Sequence, residues 1–553
     1  MSQIWHSNRI FLIALHPVEK FSFIGESHGV CAISGYLLEN YKNTLVSVYD
    51  QQFFSLDYIV NEILKKRPAI VGISIKIFTF EQFLILYELI SKRVFPLYKP
   101  NLMIGNSVPH FSGEEILKKY CSDVIISLGE GEISVGDFYE YILNQRNHSD
   151  VRNIMYMKNG EIIRSQFEYL NKNKMTSADR RYSLKYYTSG GEVYIEGSRG
   201  CAYCACSICE CRYFLGSCTK DFKWRDRPIH SIVDELERLV SQGIHVVTFS
   251  DEDFLGSDNY GLERAINISQ EIISRGIKIG FRINARIKSI YNKYDDDNTS
   301  KYKKYVLSNL KKSGLVKIFL GFESGVQKQI NRYNKGFNLK EFLNVKSILI
   351  DLNIDFELGF ICLDPLMTIE ELKENIQFIK TNGCIPFISS IYKELRIQRG
   401  NISYIKKIHD YEKIHGKKII GDLNFNAQQY EILEYADPKV EKLRTLMYEY
   451  DRKTYRVYYL IRILTQYSQD NDEFKKIIYQ SMREIKNNDF ELISSLVEKL
   501  QKNENDKYLN ESLHKYDFNR ENIYLNILGF LNDKKENKYK NLANLISDIY
   551  CHN

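Results

Sequence analysis

Six of the eleven cysteines in this chain lie within eighteen residues: Cys201, Cys204, Cys206, Cys209, Cys211 and Cys218. The first five sit in the stretch Glu196-Gly-Ser-Arg-Gly-Cys-Ala-Tyr-Cys-Ala-Cys-Ser-Ile-Cys-Glu-Cys211. Thiolates this close repel one another unless a metal neutralises them, and soft sulfur ligands select zinc, copper(I) or iron–sulfur clusters. The apolar run Val193-Tyr-Ile195 leads straight into the cluster and predicts a strand. Gly197 and Gly200 allow the tight backbone that a thiolate-lined loop needs.

Clustered cysteines without an export signal point to a reducing cytoplasm and metal binding, not to disulfides. The N-terminal MSQIWHSNRIFLIALHP has only a short apolar stretch and no small-residue cleavage site, so it predicts a first strand. A length of 553 residues allows roughly two to four domains. No run of about 18 apolar residues occurs, so no membrane span is expected. A net charge of +6 is mild for this length and argues against a dedicated nucleic-acid binder.

Residues 8–143 alternate between strand and helix patterns, with strands near 10–15, 45–50, 69–74, 102–105 and 124–128 and helices between them. Such alternation predicts a parallel sheet with helices on both faces, binding ligands at the carboxyl ends of its strands. Residues 144–188 read as a connector, with a hairpin signal at Asn159-Gly160. From 189 to 395 the alternation resumes. The strand before Cys201, with others near 246–249, 277–284, 316–322, 354–361 and 386–391, makes six strands with interposed helices. That unit predicts a partial (β/α)6 barrel of TIM type, functional at its carboxyl face. Residues 396–553 carry helical spacing, as at 440–458 and 474–500, and predict a helical cap that shapes the barrel mouth. The fold class is therefore α/β: a Rossmann-like parallel sheet, a partial barrel and a C-terminal helical region.

Several short motifs occur in a fixed order. The first sheet carries Val71-Gly-Ile-Ser74, Ile104-Gly105 and Gly129-Glu-Gly-Glu132. The barrel carries Arg199-Gly-Cys201, Cys206-Ser-Ile-Cys209, Phe249-Ser-Asp-Glu-Asp-Phe254, Gly321-Phe-Glu-Ser-Gly325, Asn334-Lys-Gly336 and Gly359-Phe-Ile361. In this order, over about residues 8–400, the chain resembles the radical S-adenosylmethionine (SAM) enzymes that carry an N-terminal cobalamin-binding domain. The resemblance implies a 4Fe–4S cluster, SAM and cobalamin as cofactors. It implies cobalamin contacts from Ser74, Gly105 and Glu130. The Asp-x-His-x-x-Gly signature that gives other cobalamin proteins a cobalt ligand does not occur.

The family's C-x3-C-x2-C spacing is absent. Aligning Arg-Gly-Cys in front and Cys-x-Ile-Cys behind gives C-x4-C-x2-C through Cys201, Cys206 and Cys209; C-x2-C-x4-C through Cys201, Cys204 and Cys209 is the alternative. The first is favoured because it leaves Ile208 before the last cysteine, where relatives touch the adenine. A four-cysteine zinc site from the pairs 201/204 and 206/209 would have only Ala205 between the pairs, far less than zinc ligand pairs normally use. Three ligands leave one iron open, and the resemblance implies that SAM fills it through its amino and carboxylate groups. It places Asp251, Glu252 and Asp253 near the methionine amino group, and Arg286 and Glu323 near the carboxylate or ribose. Cys211 and Cys218 receive no role.

The expected activity is a cytoplasmic radical SAM enzyme. Methyl transfer to an unactivated carbon or to phosphorus is the leading reaction, on a small-molecule or peptide substrate, with electrons from a flavodoxin or ferredoxin. The alternatives are a radical rearrangement, cyclisation or cross-link with cobalamin absent or auxiliary, and a non-catalytic zinc-stabilised binding protein.

Overall fold

Strand β3 (Pro68–Ser74) is buried along its length, which requires helices on both faces of its sheet. The computed structural model, which describes residues 6–17, 25–214, 224–256, 259–448, 450 and 472–533, has that arrangement. The first sheet comprises β1 (His6–Ala14), β2 (Leu45–Asp50), β3, β4 (Asn101–Gly105), β5 (Ile125–Ser127), β6 (Ile154–Lys158) and β7 (Glu161–Arg164). Its order is β2-β1-β3-β4-β5-β6-β7, parallel through β5 and antiparallel beyond. Alternate residues of β1 feed opposite cores: Phe11 and Ile13 on one face, Ile10, Leu12 and Ala14 on the other. The chain reverses direction across the sheet between β1 and β3, the position where sheets of order 2-1-3-4-5 take their ligand. The hairpin β6–β7, expected in a connector, extends the edge of this sheet.

The second sheet comprises β8 (Tyr194–Ile195), β11 (Val246–Phe249), β12 (Gly280–Ala285), β13 (Leu315–Glu323) and β14 (Asp355–Phe360), in the order β14-β13-β12-β11-β8 and parallel throughout. A short antiparallel pair, β9 (Ser198–Gly200) with β10 (Trp224–Asp226), follows β8. The sixth expected strand is reduced. Ile385–Phe387 is a 3-10 turn, and only Ile388 makes a parallel bridge, to Leu358. Pro386 has no N–H to give to a ladder, which explains the shortening.

One apolar core runs from Val193 through the barrel into the C-terminal helices, where Phe490, Leu496 and Leu500 join it. The helix Asp472–Gln501 packs against Ile369–Thr381 and the 385–387 turn, and Lys486 donates to the Pro386 carbonyl (3.1 Å). It therefore covers the open edge beside β14. The mouth is shaped instead by residues 396–436, which include the short hairpin β15 (Ile420–Asn424) and β16 (Gln429–Ile432). Tyr404 donates to Asp364, four residues past the end of β14 (2.6 Å), and Arg399 pairs with Glu115 of the helix that follows β4 (3.0 Å). Helix 438–448 bears out the start of the segment expected at 440–458; residues 451–458 lie outside the described residues. Among the described residues no helix is long and apolar enough to cross a membrane.

Candidate active site

The cysteine loop leaves β8 at the carboxyl face of the barrel because its first turn is tied down by a buried acid. Asp251 accepts from the Gly197 N–H (2.7 Å) and the Ser198 hydroxyl (2.5 Å), while Arg264 donates to the Gly197 carbonyl (2.6 Å). A Cβ at Gly197 would lie 2.5 Å from Arg264 and 2.9 Å from Asp251, so only glycine fits. Burial pushes the Asp251 carboxyl above its usual range. Asp251 thus builds the loop, where an amino-group contact was expected. Glu252 accepts from the Gly200 N–H (2.9 Å), and burial pushes it up to about 8.

Further along, Ser207 donates its N–H to the Tyr333 carbonyl (2.8 Å) and its hydroxyl to the Arg332 carbonyl (2.9 Å). Asn334 donates to the Ala205 carbonyl (2.7 Å), and Asn401 to the Ile208 carbonyl (2.9 Å). Gly336, at φ +74°, lets the Tyr203 ring approach so closely that a Cβ there would lie 2.6 Å from it. The loop is therefore a formed structure with bonds on both flanks. Ile208 is half-buried against the barrel core.

The five described cysteines of the loop differ in their neighbours. Cys201 lies in the field of Asp253 and Arg286, Cys206 in that of Lys335 and Arg286, and Cys209 in that of Lys335. Cys204, at φ +48°, shares a hydrogen bond with buried Cys211, as Cys209 also does. Burial pushes the Cys201 thiol up to about 12 and raises Cys206, whereas the hydrogen bond from Cys211 pulls Cys209 down to about 7. Cys209 and Glu252 reach solvent although dense protein surrounds both, so they line a recess, not an open surface. Cys218 lies outside the described residues. Among the described residues no three His, Cys, Asp or Glu side chains close on a single ion.

Two cations face the recess. Arg286 is aimed by Asp253, which accepts from its Nε (2.6 Å), and its guanidinium lies 5.7 Å from the Tyr203 ring centroid. Lys335 pairs with Glu323 (3.2 Å), the last residue of β13. Burial opposes its charge, but Glu323, Cys206 and Cys209 outweigh that and raise its pKa. Glu323 adopts φ +69°, a strained conformation for a non-glycine residue. A Cβ at Gly321 would stand 3.0 Å from the Lys335 ammonium and 3.2 Å from the Glu323 carboxylate, so the glycine keeps space for the pair. Lys335 sits inside Asn334-Lys-Gly336, a motif visible in the sequence, and Tyr203 inside the cysteine loop. Neither had been given a role.

The expected contacts on the first sheet separate. Ser74 and Gly105 are register partners at the carboxyl ends of β3 and β4, with Asn106 donating to the Ser74 hydroxyl (3.1 Å). Glu130 is placed differently. Its carboxylate is taken up by Arg199 (3.0 Å), Arg225 (2.8 Å) and the Leu170 N–H (2.6 Å).

The site chemistry is matched by family. Residues 195–379 fit the model of the radical SAM superfamily. The chain carries a radical SAM domain. Such a domain implies a 4Fe–4S cluster and SAM, and the thiol triad, the recess and the two cations fit both. The chain is 25% identical over 448 residues to the 4'-phospho-dehydrooxetanocin synthase of Priestia megaterium, an alignment covering 77% of this chain and 58% of that protein. It therefore spans less than two thirds of that relative's length. It is also 29% identical over 180 residues to the anaerobic magnesium-protoporphyrin IX monomethyl ester cyclase of Cereibacter sphaeroides, covering 32% of this chain and 26% of that one. In fold, the chain is similar to the cobalamin-dependent radical enzyme OxsB, solved with aqua-cobalamin and SAM bound. The TM-score is 0.83 at 19% identity, covering 98% of this chain and 84% of that one. The methyltransferase TsrM of Kitasatospora setae, solved with cobalamin and a 4Fe–4S cluster, gives 0.59 at 17% identity, covering 80% and 82%.

Proposed function

We propose that this chain is a cytoplasmic, cobalamin-binding radical SAM enzyme that activates a C–H bond of a small molecule. One observation carries this: Cys201, Cys206 and Cys209 lie around one recess in the fields of Arg286 and Lys335, with Cys206 in both. In this reading Cys201, Cys206 and Cys209 hold the cluster. Arg286 and Lys335 offer positive charge to the SAM carboxylate. Glu323 and Glu252 offer acceptors for its ammonium and ribose hydroxyls, and Ile208 an apolar surface for its adenine. Asp253 acts through Arg286 by fixing its orientation. When bound, the reduced cluster supplies the electron that cleaves SAM into methionine and a 5′-deoxyadenosyl radical. The protein's part is to fix the sulfonium and exclude water, since the cofactors carry the hard chemistry.

Cobalamin is assigned to the carboxyl ends of β1, β3 and β4, beside Ser74 and Gly105. The fold shared with OxsB and TsrM supports that place, as does the strand-order reversal between β1 and β3. The working domains are 8–143, 144–188, 189–395 and 396–553, with a flavodoxin- or ferredoxin-type electron donor. For the outcome, the extent of similarity to a synthase, 77% of the chain, favours a radical rearrangement or ring-forming step. Methyl transfer is the second reading. It is supported by the fold shared with TsrM and by 33% identity over 93 residues to a tryptophan 2-C-methyltransferase of Streptomyces laurentii.

The test is anaerobic turnover with SAM deuterated at its methyl group, scored by mass spectrometry on candidate substrates. Products isomeric with the substrate, or lighter by two hydrogens, support the synthase reading. A gain of a deuterated methyl supports transfer. Loss of cobalamin on gel filtration, with SAM cleavage intact, would remove cobalamin from the account.

A further inference from the structure

The cysteine loop is gripped at both ends by the crest of the first sheet, through residues that touch no sulfur. At its start, Arg199 is buried and reaches three carboxylates: Glu130 (3.0 Å), Glu132 (2.5 Å) and Glu196 (2.8 Å). Glu130 and Glu132 flank Gly131, the first residue of the helix Gly131–Ile142, so they belong to the loop that leaves β5. Arg225 on β10, paired in register with Arg199 on β9, adds a second cation to Glu130. Burial alone would push Glu196 up, but Arg199 wins and holds it below the usual carboxylate range.

At the far end, His110 of the helix Ser107–Lys119 spans the same gap. Its Nδ1 accepts from the Gly129 N–H (3.2 Å), which leaves Nε2–H to donate to the Tyr213 carbonyl (3.0 Å) in the short helix that follows the last cluster cysteine. Both bonds are satisfied at once only by the Nε2–H tautomer of a neutral ring, and burial lowers the pKa of His110 accordingly. Its ring also packs edge-on to Phe214 (5.1 Å). The Gly129–Glu132 turn therefore holds the residue two before the first cluster cysteine and, through His110, the residue four after the last.

We propose that His110, Glu132 and Arg199 are positioning residues for the cluster: the first sheet fixes the spread of the cysteine loop and so the geometry in which the three thiolates are presented. This rests on the cluster assignment above. The physical reason is economy of strain. The C-x4-C-x2-C loop has one residue more than the family spacing, so it has more ways to close around the metal, and ties at both ends remove the alternatives. The glutamates of the turn are consumed by this task, which is why Glu130 is not free to touch a cofactor.

The test uses the full chain, reconstituted anaerobically, with two readouts independent of turnover: the EPR spectrum of the reduced cluster with and without SAM, and the rate of iron loss to a ferrous chelator. H110L removes both hydrogen bonds while keeping bulk; H110Q retains one donor and one acceptor; E132Q weakens the Arg199 tie without changing shape. The expected result is iron loss at least about tenfold faster in H110L, which loses two hydrogen bonds. The H110L EPR signal is altered, H110Q recovers toward wild type, and E132Q shifts in the same direction. If H110L does not fold, E132Q decides alone. Wild-type EPR and iron retention in every folded variant would overturn the inference. Wild-type protein that takes up no iron would instead overturn the cluster assignment itself, so the two failures are distinguishable.

Discussion

At the scale of single residues, the division between Cys204 and Cys206 gives the sharpest expectation. Cys206 lies in the field of both cations and opens the Cys206-Ser-Ile-Cys209 motif. C206A should therefore reconstitute with well under about four irons per chain, while C204A keeps about four; iron and sulfide analysis checks both. Retention by C206A and loss by C204A would select the other spacing. Gly321 gives a second expectation. In G321A the new methyl crowds the Lys335–Glu323 pair. SAM affinity should fall about tenfold, corresponding to about 1.4 kcal/mol, with iron content unchanged, as equilibrium dialysis would show. Much of this site was legible because its residues come from short local motifs. Cys201, Cys206, Cys209, Arg286 and Glu323 all stand in motifs that can be picked out from the chain alone. The role of Lys335 cannot be picked out in this way, because the cysteines it faces, Cys206 and Cys209, lie more than a hundred residues away in sequence. Glu130 and Asp251 show what the chain alone leaves open: a place at a strand's carboxyl end says which face an acid is near, not which arginines or backbone N–H groups it also meets.

Among the elements, helix Ile229–Ser241 shows how the junction between the sheets is held. Its Glu235 is fully buried between Arg180 (2.8 Å) and Arg227 (2.6 Å). Burial would push its carboxyl up, but the two arginines win and hold it at about 2, below the ordinary 4.5. A lowered folded-state value means that the stabilisation is complete above about 4.5 and is lost as the pH falls toward 2. E235Q should cost about 3–5 kcal/mol near neutral pH by leaving two buried cations short of a partner. In thermal melts the gap between wild type and E235Q should be full at pH 6 and narrow below pH 4.5; a gap independent of pH would contradict the pairing. The alternation of strands and helices was legible from hydrophobic period alone. The hairpin β15–β16 was not, because Gln428 takes the left-handed position at φ +50° and no glycine or Asn-Gly pair marks the turn. The sixth strand was over-read, because the apolar run around Pro386 has strand composition but lacks a donor at its start.

On the scale of the whole molecule, side-chain contacts join the two sheets and the mouth segment. Arg199 joins the first sheet to the cysteine loop, Arg399 joins it to the mouth through Glu115 and Ser112 (3.0 and 3.1 Å), and Tyr213 meets Ser403 (2.9 Å). The order of these units could be read from the motifs, but their contacts could not, since each spans a long sequence separation. Joined in this way, a ligand at the crest of the first sheet and one at the cysteine recess would face each other. The most direct test is anaerobic incubation of reconstituted, reduced full-length protein with SAM, with 5′-deoxyadenosine and methionine quantified beside C206A. The account predicts both products from wild type and neither from C206A. Zinc in place of iron, with no cleavage by wild type, would contradict it.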